Sequence, residues 1–126
     1  MDKYYQKARD FGADLVIVRI GENVDRAKLA EHDFAEGFAA MVNYFAGPDA
    51  QVVVTDLFWR SPAIDEPIAR AASLNGWPMV EIGDLGEMDE MKAIGLFEHE
   101  GVALHPGDKG MAAIARRLMD VISLLS

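Results

Sequence analysis

Apolar residues along this chain switch between two periods, one near 3.6 and one of continuous β-branched runs. Residues 2–11 read as a helix with Tyr4, Ala8 and Phe11 on one face, closed by Gly12. Residues 14–20, Asp-Leu-Val-Ile-Val-Arg-Ile, form a run suited to a strand buried on both faces, ending at Gly21. Asp33 then caps a predicted helix with Phe34, Phe38, Met41, Val42 and Phe45 at helical spacing, stopped by Gly47-Pro48. A second strand, residues 51–55, opens into the loop Asp56-Leu57-Phe58-Trp59-Arg60-Ser61-Pro62.

After that loop, Asp65 is expected to cap a helix carrying Pro67 in its first turn and burying Ile68, Ala71, Ala72 and Leu74, with Asn75-Gly76 as its end. Residues 79–82 read as a short third strand. The last helix places Met111, Ile114, Ala115, Leu118, Ile122 and Leu125 on one stripe, with Asp108 as its cap. Between Gly83 and His105 runs a long, weakly periodic connection whose Asp84, Glu87, Asp89 and Glu90 read as a solvated acidic surface. Strands alternating with helices imply right-handed crossovers and a parallel sheet, so the class is α/β. Ligands bind beyond the carboxyl ends of such strands, which directs attention to the loops beginning at Gly21, Asp56 and Gly83.

Composition narrows the picture. A chain of 126 residues, 51% hydrophobic, holds one core, and residues 1–126 are read as a single domain. A net charge of -9 argues against nucleic acid as a partner, because phosphates must be neutralised by clustered Lys and Arg. Without cysteine there is no disulfide framework, thiolate zinc site or thiol nucleophile. No apolar run has the length of a signal peptide core or a membrane span, so a soluble chain without a membrane partner is expected, with its localisation open.

Two places offer chemistry. Gly21-Glu22-Asn23 follows a buried strand, where a glycine N–H and an Asn side chain can present donors to a developing oxyanion. His105 precedes Pro106-Gly107-Asp108 and the last helix, which holds an accessible imidazole on a rigid element, as a general base requires. Trp59 and Arg60 offer a stacking face and an anion clamp for a substrate pocket. A metal site built from Glu98, His99, Glu100 and His105 matches no helical zinc spacing and is set aside; no cofactor is implied.

The string from Gly101 through Leu104-His105-Pro106 to Gly110-Met111 and the following Ile-Ala helix resembles the last block of SGNH (GDSL-type) hydrolases. The strand ending in Gly21-Glu22-Asn23 resembles that family's Gly-x-Asn block, and the two come in the family's order. The resemblance implies a flavodoxin-like three-layer α/β/α sandwich and a serine esterase acting on carbohydrate or lipid esters. It makes His105 the general base and Gly21 with Asn23 the oxyanion donors.

The family's Gly-Asp-Ser block is not in this chain, and Val102 stands where the family places the Asp that orients the histidine, leaving a backbone carbonyl, Glu98 or Glu100 for that task. Ser61 is the one serine on a loop at the carboxyl edge, and Arg-Ser-Pro reads as helix-start chemistry rather than a nucleophile. The resemblance also implies that the first two strands of the fold are absent. An inactive part of an esterase is therefore expected, with an exposed sheet edge from Leu15 to Ile20 that pairs with a second copy or a companion chain. The rival expectation is a non-catalytic α/β module binding a small ligand or a protein.

Overall fold

The computed structural model describes residues 3–20, 33–93 and 105–125. Its framework is a parallel three-stranded sheet in the order β1 (Leu15–Val18), β2 (Gln51–Thr55), β3 (Met79–Val80). Valine and isoleucine dominate the first two strands because their branched side chains fit a pleated surface buried on both sides. β1 and β2 pair from Leu15↔Gln51 to Val18↔Val54, and β2 meets β3 at Val54↔Met79 and Thr55↔Val80. Two strands are shorter than the sequence predicts. β1 ends at Val18, opposite Val54, one residue before β2 itself ends at Thr55. β3 ends at Val80 because the next amides, those of Ile82 and Gly83, donate to the Asp56 carboxylate instead of a neighbouring backbone.

Alternate residues face opposite layers. Val16, Val18, Val52, Val54 and Met79 pack against α2 (Phe34–Phe45) and α3 (Pro62–Asn75). Leu15, Val53 and Val80 pack against α4 (Asp108–Ile122) and the 3-10 turn Leu85–Glu87. The α/β class is thus observed, with helices on both faces and, among the described residues, none long and apolar enough to cross a membrane.

α2 starts as its sequence predicts, with Asp33 accepting from the Glu36 amide at 3.2 Å. α3 starts earlier than expected. Ser61 occupies the N-cap position and Pro62 the first turn, where a missing N–H is harmless. Asp65 does not cap α3; its carboxylate reaches back to accept from Leu57 N and Ser61 N, both at 2.9 Å. Pro67 therefore lies inside the helix, leaving the Ala63 carbonyl on an exposed turn where water can serve it. Leu74, expected in the core, is 80% exposed near the helix end.

The buried stripe of α4 also differs from the expected one. Gly110, Ile114, Leu118, Val121, Ile122 and Leu125 face the core, whereas Met111 and Ala115 are exposed. The stripe is rotated because Gly110 lies flush against the Met91 backbone, an approach no side chain permits. Gly107, not Asp108, holds the N-cap position, and Asp108 is the first helical residue, where its charge complements the helix dipole.

α1 (Lys3–Asp10) lies beside α2, with Tyr5 edge-on to Phe45 at 6.0 Å and the Arg9 guanidinium over the Tyr44 ring. Phe11 falls just beyond the helix and is 83% exposed, so it does not join the buried face its spacing predicts.

Candidate functional site

The carboxyl end of the central strand is closed by the loop after β2. Leu57 turns into the layer under α2 and α3, while Phe58 turns into the opposite core beneath α4. Two carboxylates hold this loop. Asp56 Oδ1 accepts from Ile82 N at 2.5 Å and from Gly83 N at 3.2 Å, and Asp65 takes the two loop amides named above. The backbone is thereby fixed where β2, β3 and α3 meet. Burial, then repulsion from Asp65 and Glu81, raises the Asp56 pKa above the ordinary carboxylate value, against the lowering effect of the two amides.

Next to this loop a cleft of about 260 Å³ is lined by Asp56, Arg60, Pro62, Asp65, Glu66 and Glu81. Arg60 points into it and pairs with Glu87 at 3.3 Å between half-exposed side chains. Such a cleft favours a ligand with donors or positive charge over an anion.

On the α4 side the Trp59 indole meets the His105 imidazole, with ring centroids 4.6 Å apart and planes inclined by 50°. The backbone carrying His105 is clamped on both sides. Ala93 N donates to the His105 carbonyl and Gly107 N to the Met91 carbonyl, each at 2.9 Å, and Lys92 bridges Pro106 in antiparallel fashion. His105 itself is exposed, so a rigid backbone presents an accessible ring, as a proton carrier needs.

Of the residues predicted for the site, Trp59 and His105 come together, while Arg60 turns towards Asp56 and Glu87 instead of joining them. Gly21, Asn23, Glu98, Glu100 and Val102 lie outside the described residues. Ser61 holds the N-cap position of α3 as its sequence predicts, but its hydroxyl caps no helix amide and has no hydrogen-bond partner among the described residues, and at 3% exposure it is not an accessible nucleophile.

Sequence reasoning missed a second anchor. Arg117 on α4 reaches Asp84 through two nitrogens, at 2.6 and 2.9 Å, and also donates to the Glu81 carbonyl at 2.9 Å. The hydrogen bonds from Arg117 hold the Asp84 carboxyl below the ordinary value. A position three residues after Ile114 on an amphipathic helix was the available signal, since it borders the buried stripe. We expect Arg117→Ala to cost about 1 kcal/mol at pH 7 by urea denaturation, because both side chains remain partly exposed. An acid with a depressed pKa stabilises above its unfolded value and loses that contribution as pH falls through its folded one, so the deficit should shrink below pH ~4.

No protein-family model, curated protein or solved structure matches the chain.

Proposed function

We propose that this domain is the histidine-bearing part of an SGNH-type serine esterase with a flavodoxin-like sandwich, acting on carboxylic or O-acetyl esters of carbohydrates or lipids. The observation that carries the reading is His105, whose carbonyl accepts from Ala93 N beside the Gly107–Met91 hydrogen bond and whose ring packs on Trp59. In this role the imidazole takes the proton of a serine hydroxyl as its oxygen attacks the ester carbonyl, then returns it to the departing alkoxide. Water repeats the cycle on the acyl-enzyme. Gly21 N–H and the Asn23 side chain would meet the oxyanion, and Trp59 would line the acyl or sugar side. The serine has to come from polypeptide other than residues 1–126, since the loop serine is closed off.

The chain alone is therefore expected to resist labelling by a fluorophosphonate probe. Combined with a Gly-Asp-Ser strand segment from an SGNH hydrolase, it should promote labelling of that serine, and His105→Ala should slow the labelling about 100-fold. Stoichiometric labelling of the chain alone, or complementation indifferent to His105, would reject the reading. Complex formation without any labelling would favour the non-catalytic binding module.

A further inference from the structure

Among the described residues β1 and β3 are the two edges of the sheet, and the surroundings of the β1 edge determine what fits it. Gln51 N donates to the Asp14 carbonyl at 2.8 Å, and the register then directs the N–H and C=O groups of Asp14, Val16 and Val18 towards β2. Those of Leu15 and Ile17 point the other way, towards no strand among the described residues. Along this edge runs an apolar groove of about 550 Å³, walled by β1, Ala8, Ala13, Met41, Val42 and Phe45. Ile17 within it is 45% exposed.

α1 roofs the groove from the same side of the sheet as α2 and α3. Both observed crossovers, β1-α2-β2 and β2-α3-β3, step from β1 towards β3 with their helices on that side. Right-handed crossovers with helices on one face all step in one direction. A helix placed like α1 therefore belongs with a parallel strand on the far side of β1, in the groove. A second copy fits poorly. Continuous antiparallel pairing of β1 with β1 needs a twofold axis perpendicular to the sheet, which keeps both helical layers on one side and drives the partner's α2 into the place α1 occupies. At the carboxyl end of the edge, Arg19 lines the groove and its buried Nε has no hydrogen-bond partner among the described residues, which asks for an acceptor at that level.

We infer that the groove receives a parallel, apolar β-strand supplied from outside residues 1–126, inserted between β1 and the underside of α1 and ending in an acidic residue beside Arg19. The argument uses the fold alone and does not depend on the esterase reading. The roof formed by Ala8 of α1 and by Met41, Val42 and Phe45 of α2 also distinguishes it from casual edge pairing, because side chains on that face of the guest strand find apolar contacts.

The test uses a labelled peptide copying residues 51–56, Gln-Val-Val-Val-Thr-Asp, with terminal lysines for solubility. This sequence already pairs in parallel with the other edge of β1. Saturable binding is expected, with hydrogen exchange at the Ile17 amide slowed more than tenfold while Val16 and Val18, already bonded, change little. Ile17→Pro removes an outward donor without touching the β1-β2 ladder and should weaken binding at least tenfold. Peptides N-methylated on alternate residues supply the same test with the protein unaltered: blocking one edge should abolish binding and blocking the other should not. His105→Ala should bind normally, which separates this inference from the catalytic one. Binding indifferent to Ile17→Pro and to both methylated peptides, no binding beyond a scrambled peptide, or a wild-type dimer that Ile17→Pro dissociates would each overturn it.

Discussion

Gly86→Ala should lower stability by about 3 kcal/mol or more, equivalent to roughly 10 °C in melting temperature for a domain of this size. Gly86 sits in the 3-10 turn Leu85–Glu87, and an added methyl would overlap the Phe58 carbonyl. Neither side can retreat cheaply. Phe58 is 1% exposed and Leu85 2% exposed in the same core, so moving the turn opens a cavity on one side to relieve a clash on the other. Gly110→Ala should behave similarly, because its methyl would strike the Met91 carbonyl where α4 meets the turn Asp89–Met91. Gly37 supplies the contrast. It lies exposed within α2 with nothing near its would-be methyl, so Gly37→Ala should raise stability by about 0.5–1 kcal/mol. Urea denaturation of the three variants checks the set; a Gly86→Ala protein as stable as wild type would show that the turn does not press on Phe58.

Those contacts mark where sequence reasoning stops. The alternation of β-branched runs and helical stripes gives the parallel α/β class and the order of the elements, because both depend on the period of burial, whereas the exposed edge at β1 was expected only from the resemblance. The start of α3 escapes it. Asp65 has the residue type of a cap, and only the folded loop shows that its two oxygens serve Leu57 N and Ser61 N instead. Leu74 and Met111 also fit a stripe by hydrophobicity yet lie exposed, Leu74 near the end of α3 and Met111 where the approach of Gly110 to the Met91 backbone turns α4 away from it. His105 was legible as a candidate from its string; its contact with Trp59, 46 residues away, was not, since no local rule links them. Asp56 lay one residue beyond the central strand, a position that topology marks, yet its partners come from the turn after β3 and could not be counted without the sheet.

That residue carries the sharpest electrostatic expectation. Asp56 combines two jobs, acceptor for two backbone amides and bearer of a charge beside Asp65 and Glu81, and substitution separates them. Asp56→Ala removes the acceptor and leaves the Ile82 amide, in a residue with 0% exposure, without its partner, so a loss of about 2–3 kcal/mol is expected at pH 4, and a smaller one at pH 7, where the opposing charge is removed with it. Asp56→Asn keeps an oxygen for those amides and removes only the charge. Because burial raises the folded pKa above the unfolded one, the carboxyl favours the folded state fully at low pH and loses that contribution as pH rises through the folded value. At pH 7 the ionised group therefore opposes folding, and Asn should stabilise the domain there, with the gain vanishing on acidification. Urea denaturation between pH 4 and 8 reads both effects. A difference between Asp56→Asn and wild type that stays constant across that range would mean the carboxyl titrates no differently in the folded chain, and the charge would then be solvated in the cleft instead of buried under the loop.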